Sequence, residues 1–266
     1  MRILYLFVFG ITLVTFPACT PSADKPSSEI SAIQQENPPM PGFDQENSDV
    51  KAIEIADQVM EAMGGRINWD KLRCVSWNFF GARDLIWDKW TGNVRIEAPK
   101  DSAIYLVNVH DLTGKVQIAG VELTNPDSLS KYLSKAKSIW INDSYWLVMP
   151  FKLKDSGVTL TYLREDTTIS GLPSQVLELT FQDVGDTPEN KYQIWVDKET
   201  SLVKQWAYYK SYQQDSASYI WPWDNYQKYG NILLSGDRSD GKGPQRVSVY
   251  DTLPATVFTS FDSVKL

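Results

Sequence analysis

Few residues in this 266-residue chain could do chemistry. Its one histidine, His110, stands beside Asp111, two residue types suited to acid–base work. Neighbours on a strand point to opposite faces, so the pair reads as a polar strand end. A single histidine also excludes two-histidine zinc sites and histidine dyads. No Gly-x-Ser-x-Gly elbow occurs. Cys74 would need His110 as its base, and a small buried apolar thiol is the plainer reading. The stretch Gly236-Asp237-Arg238-Ser239-Asp240-Gly241-Lys242-Gly243-Pro244 has the glycines of a calcium loop. It lacks the spaced third acid and the terminal glutamate, and reads as a glycine-rich turn. Asp84 with Asp88, and Glu165 with Asp166, are paired carboxylates of the kind a glycosidase uses, but nothing orients them. The chain is therefore expected to be no enzyme, with no catalytic, metal or cofactor-binding residues.

The departure from average is aromatic. From Trp206 to Tyr229, nine of 24 residues are Trp or Tyr. Such rings stack on sugar faces or line an apolar mouth when exposed, and pad the two faces of a curved sheet when buried. In Trp221-Pro222-Trp223 the proline breaks a strand ladder, so the indoles belong in a loop or at a sheet edge.

Charge and cysteine content narrow the classes further. With 26 Lys+Arg against 33 Asp+Glu the net charge is −7, which argues against nucleic-acid binding. Two cysteines exclude a disulfide scaffold. At the N-terminus, Arg2 precedes a 14-residue apolar run from Ile3 to Phe16, and then Pro17, Ala18 and Cys19. That is the pattern of a bacterial secretory signal, too short for a comfortable membrane span. Residues 20–48 hold five of the 14 prolines and one aromatic residue, Phe43, and read as a tether unable to build a core. All ten tryptophans lie beyond it, so the folded unit is placed at 49–266.

The elements that must hold these rings are helix, then strands. Val50, Ile53, Ala56, Val59, Met60 and Met63 recur at helical spacing after Asn47-Ser48, and Gly64-Gly65 ends the helix. The period then changes to two: Val75, Trp77 and Phe79; Val94, Ile96 and Ala98; Ile104 and Leu106; Val116, Ile118 and Val121, with Gly120 a candidate bulge. Asn125-Pro126-Asp127 opens a second helix whose buried side carries Leu129, Leu133, Ala136, Ile139 and Trp140. Strands resume at 158–163, 175–181, 192–197, 202–209, 232–235, 246–250 and 257–261. Short connections dictate antiparallel pairing, and some ten or eleven strands would curl. The expected class is α+β, mostly β, a single large curved antiparallel sheet with its helices packed on the concave face.

Signal, cysteine, a helix ending in Met-Gly-Gly, strands, a mid-sheet helix and more strands together resemble the LolA/LolB-like outer-membrane lipoprotein-sorting half-barrels. The run from Trp140 to Leu153, with Asp155-Ser156-Gly157-Val158 and Asp197-Lys198-Glu199-Thr200, is similar to a group of Bacteroidota lipoproteins. The resemblance covers roughly residues 49–261. It implies that residues 1–18 are a lipoprotein signal peptide and that Cys19, in a lipobox, is acylated and anchors the chain in the outer membrane. It also implies an apolar or lipidic ligand on the concave face. Two helices cannot fill such a sheet, so a cavity is expected, rimmed by Trp146, Met149 and Phe151 after the second helix and by Trp221 and Trp223 on a second side. The alternative is a surface lipoprotein that binds a glycan or a protein partner through the aromatic loop. Rings pointing into a deep cavity favour lipid; a flat exposed row favours sugar or protein.

Overall fold

The computed structural model describes residues 37–182 and 184–265. The expected signal segment (residues 1–18) and Cys19 lie outside the described residues.

Helix α1 (Val50–Ala62) buries Ala52, Ile53, Ile55, Ala56, Val59 and Met60 on one face. Its first residues are stapled to the sheet: the Tyr162 N–H donates to Asp49 Oδ2 at 2.8 Å, and the Leu160 N–H to Ser48 Oγ at 3.0 Å. The chain leaves α1 through Gly64 at φ +110°, where a Cβ would stand 2.2 Å from the Asn231 carbonyl oxygen. Only glycine fits that approach. A short helix α2 (Arg66–Lys71), not foreseen from the sequence, follows.

Residues 37–48, expected as tether, are instead laid along the domain. Met40 N–H donates to the Lys154 carbonyl at 2.9 Å and Asp44 N–H to that of Val158 at 3.0 Å. Beneath them Lys154 pairs with Asp57, both buried, and Asn37 donates to Asp57 Oδ1 at 2.7 Å. Backbone bonds and one buried ion pair do here what apolar side chains do elsewhere, which is why composition concealed it.

Seven strands form one antiparallel ladder: β1 (Cys74–Phe79), β2 (Arg83–Asp88), β3 (Asn93–Ala98), β4 (Ala103–Asn108), β5 (Gly114–Ile118), β6 (Val121–Glu122) and, outside β1, β14 (Pro244–Tyr250). Their inner-face partners are apolar in succession: Val75 opposite Trp87, Trp87 opposite Val94, Val94 opposite Val107. Such cross-strand pairs fix the register, since a one-residue slip would expose them all. Ala119-Gly120 is a left-handed turn between β5 and β6 (φ +48° and +80°), not a bulge.

Helix α3 (Pro126–Val148) is capped by Asn125, whose side chain accepts the Ser128 N–H at 3.0 Å. A 3₁₀ turn, Met149–Lys152, leads into the second ladder. That ladder has five strands: β7 (Val158–Thr167), β8 (Pro173–Phe181), β9 (Lys191–Asp197), β10 (Val203–Tyr209) and β11 (Tyr219–Pro222). The hairpin β12 (Asp224–Tyr229) and β13 (Ile232–Asp237) is a third, two-stranded ladder that approaches β10 and β14 without pairing to either, so the antiparallel wall is three adjoining ladders rather than one continuous sheet. The wall is open between β6 and β7, as in a half-barrel. Inside it α1, α3 and both ladders share one apolar core.

The stretch 257–261, expected as a strand, is a single helical turn, α4 (Thr256–Thr259). It lies on the outer face of the seven-stranded ladder. There Arg95, 1% exposed, donates to the carbonyls of Val257, Ser260 and Asp262 at 3.2, 2.7 and 2.9 Å.

Candidate functional site

Alternation along β9, β10 and β11 places Tyr192, Trp206, Tyr208, Tyr219 and Trp221 on the inner face of the five-stranded ladder. Register brings them side by side: Tyr192 opposite Tyr208, Tyr208 opposite Tyr219, Trp206 opposite Trp221. Trp206 and Tyr208 stack with centroids 5.9 Å apart, and Tyr208 and Tyr219 at 6.1 Å. From the facing side α3 contributes Trp140, Tyr145 and Trp146. Trp146 meets Trp206 at 4.7 Å and Trp221 at 5.1 Å, and Tyr145 meets Tyr192 at 5.5 Å.

Between helix and sheet a cavity of about 830 Å³ remains. Of the 23 residues lining it eleven are aromatic, so its surface is ring faces and edges. Besides Asn142 and Ser144 on α3, the polar liners come from two loops that meet: Lys152, Asp155 and Ser156 before β7, and Asp186, Thr187 and Asn190 before β9. The Gln182 N–H donates to the Gly157 carbonyl at 2.8 Å, joining those loops. Size and lining match an apolar ligand site with a small number of polar groups.

Electrostatics keep the aromatic wall neutral. Burial pushes the Tyr192 phenol up to about 12 and raises that of Tyr145 well above its ordinary value. Tyr208 Oη donates to Asn190 Oδ1 at 3.3 Å. The Tyr145 hydroxyl and the indole N–H groups of Trp87, Trp140, Trp206 and Trp223 find no partner among the described residues. Buried donors without acceptors are rare in folded proteins, and five of them border this one cavity.

Of the rim residues expected from sequence, Trp146, Trp221 and Trp223 line the cavity. Trp146 does so from within α3, which runs past it to Val148, rather than from a loop after the helix. Trp223, 1% exposed, forms the back wall with the Arg238 guanidinium 3.4 Å from its ring centroid. Met149 and Phe151 do not belong to the rim. Pro150 in the 3₁₀ turn directs both side chains into the core, where Phe151 stacks on Trp69 at 4.3 Å. Sequence reading did not single out Trp87, Trp140, Tyr145, Phe181 or Tyr192 as liners; the period-two spacing of 206, 208, 219 and 221 was the available signal.

The other candidate groups are occupied elsewhere. Asp84 binds Arg246 at 2.6 Å and Asp88 binds Arg73 at 2.9 Å. Glu165 pairs with Lys198 at 2.9 Å and Asp166 with Arg164 at 3.0 Å. Cys74 is buried, and desolvation pushes its thiol up to about 11, leaving a poor nucleophile. In the 236–244 turn, Asp237 Oδ1 accepts the Ser239 and Gly241 N–H groups at 2.9 and 3.2 Å. No cluster of three metal-ligating side chains occurs among the described residues. Nor is any helix among them long and apolar enough to cross a membrane.

No family model matches the chain, and no curated protein matches it. Solved structures do. A DUF1329 family protein from Desulfovibrio piger aligns over 79% of this chain and 97% of its own at 13% identity and a TM-score of 0.43. An outer membrane lipoprotein-sorting protein domain from Vibrio parahaemolyticus aligns over 78% and 96% at 10% identity, TM-score 0.39. A LolA superfamily protein from Nitrosomonas europaea aligns over 77% and 97% at 10% identity, TM-score 0.32. At these values the likeness carries nothing about ligand or activity.

Proposed function

We propose that this protein is a membrane-anchored lipoprotein that holds an apolar or lipidic ligand between α3 and the aromatic face of the five-stranded ladder, in the handling of envelope lipids or lipoproteins. The observation that carries the reading is the cavity of about 830 Å³ with eleven aromatic liners. A ligand-binding cleft typically spans roughly 300–1,000 Å³ and is apolar with a few polar groups. The rings of Trp146, Trp206 and Trp221 converge on one another around that space instead of forming a flat exposed row, which disfavours the glycan or protein-partner alternative.

A neutral environment-sensitive probe, N-phenylnaphthylamine, should be taken up with a rise in fluorescence. Trp146→Ala should weaken uptake about tenfold, the loss of roughly 1–1.5 kcal/mol of ring contact. Trp223→Ala should weaken it less, since that ring also serves as the platform for Arg238. Tight glycan binding without probe uptake would overturn the reading.

Anchoring rests on Cys19 and the apolar run before it. Triple acylation would give lasting attachment, because two or more buried chains are needed. Cys19→Ala should shift the protein from the outer-membrane to the soluble fraction while its thermal melt stays unchanged. Retention of the variant on membranes would contradict an acyl anchor.

A further inference from the structure

Eight buried side-chain polar atoms have no hydrogen-bond partner among the described residues, and five of them belong to cavity liners. They are the indole N–H groups of Trp87, Trp140, Trp206 and Trp223 and the hydroxyl of Tyr145. Every one of them can donate. The polar liners do not meet them, because those groups bond to one another or to the neighbouring chain. Asn142 donates to Asp143 Oδ1 at 2.9 Å, and the Ser144 hydroxyl to the Ile141 carbonyl at 3.4 Å. Asn190 donates to Thr187 Oγ1 at 2.5 Å and accepts from Tyr208, and Lys152 pairs with Asp155. The cavity thus offers donors for which its own side chains hold no acceptor.

The five donors are not equivalent. Trp87 and Trp140 meet edge to face, centroids 5.2 Å apart and planes at 71°, where a ring face is a weak substitute acceptor. Trp223 is 1% exposed, with Arg238 over its ring. Tyr145 and Trp206 remain, one from α3 and one from β10. Both pack against Tyr192, with centroids 5.5 and 5.3 Å from its ring. A hydrocarbon would leave both donors unmet, each having lost the bond it made to water. A free carboxylate would find no unpaired cation among the liners, since Asp155 holds Lys152, and a buried charge needs one. An uncharged acceptor meets both conditions.

Resting on the apolar-ligand reading above, we infer that the ligand is an acyl ester or amide, bound with its linkage carbonyl inside the cavity. That carbonyl accepts from the Tyr145 hydroxyl, with the Trp206 indole N–H as the second donor. Both atoms are covered in the structure, so seating the oxygen turns the ring edges toward it. Esters of glycerol and N-acylated amines share this chemistry.

The test is displacement of N-phenylnaphthylamine from the full chain carrying Cys19→Ala, purified without detergent. The competitors are octane, methyl octanoate and N,N-dimethyloctanamide, each affinity divided by the molecule's own hexadecane–water partition coefficient. A cavity that is merely apolar gives three equal ratios. The ester and the amide are expected about tenfold above octane, the higher of the two naming the linkage. In Tyr145→Phe and in Trp206→Phe that advantage should shrink about threefold, while octane keeps its affinity. Tyr145→Phe should melt no lower than the parent, because the hydroxyl it removes has no partner. With isotope-labelled indole nitrogens, methyl octanoate should move the Trp206 N–H proton resonance downfield and octane should not. Equal ratios, an advantage unchanged in both variants, or a Trp206 proton that the ester does not move overturns the acceptor seat and leaves the cavity reading standing. Failure to take up the neutral probe at all overturns the cavity reading, and the acceptor seat with it.

Discussion

Arg83→Ala is expected to cost about 3–5 kcal/mol at neutral pH, the usual consequence of stranding a buried charge. Asp143, on α3, is 0% exposed, and Arg83 at the start of β2 grips it bidentately at 2.7 and 2.8 Å. Burial already raises the Asp143 carboxyl against the lowering by Arg83. Without the arginine, only the Asn142 side chain, donating to Asp143 Oδ1 at 2.9 Å, opposes desolvation, and the carboxyl rises further. The sign follows from linkage. A carboxyl whose folded pKa lies above its unfolded value favours the folded state at low pH, and that advantage is lost as pH rises through the folded pKa. The variant should therefore regain stability on acidification from about pH 7 towards about pH 5, where the parent gains nothing comparable. Thermal melts across that range read it directly. A pH-independent loss would mean that Asp143 escapes to water. Because Asp143 holds the segment of α3 that bears Trp140, Tyr145 and Trp146, probe uptake should fall with stability and return with it.

The second large effect is at Val59, 0% exposed in the face of α1 that meets the core. Val59→Asp places a carboxylate among apolar side chains with no partner, at a cost of about 5 kcal/mol. Val59→Ala, which removes methyl groups without adding charge, should cost about 2 kcal/mol and keep the fold. Denaturant midpoints for both variants separate the two effects. A melt of Val59→Asp indistinguishable from the parent would mean that this face of α1 meets solvent.

How far the sequence foretold this molecule differs by element. The inner rings of β10 and β11 were legible, because residues two apart on a strand must share a face and nine of 24 residues in that run are aromatic. The opposite wall was not. Asn142-Asp143-Ser144 interrupts the apolar pattern and disguises the last turns of α3, although Asp143 is satisfied by an arginine 60 positions away. No local pattern shows such a pairing. The rim assignment of Met149 and Phe151 failed for a related reason: beside Pro150 they looked like a loop, yet the 3₁₀ turn delivers both to the core. β2 was overlooked because Arg83, Asp84 and Asp88 frame its short apolar stretch with charge, each bound across to another element. The segment 37–48 likewise reads as tether, and only its backbone and side-chain hydrogen bonds to the 154–160 region and to Asp57 reveal it as part of the domain.

The central claim is that the space between α3 and the five-stranded ladder holds an apolar molecule. The most direct measurement is organic-phase extraction of the Cys19→Ala protein, purified without detergent from the soluble fraction, followed by mass spectrometry quantified against protein. About one amphiphile per chain is predicted, depleted in Trp146→Ala but not in a surface variant such as Lys115→Ala. A folded protein that yields no stoichiometric lipid and takes up no neutral probe would contradict the account.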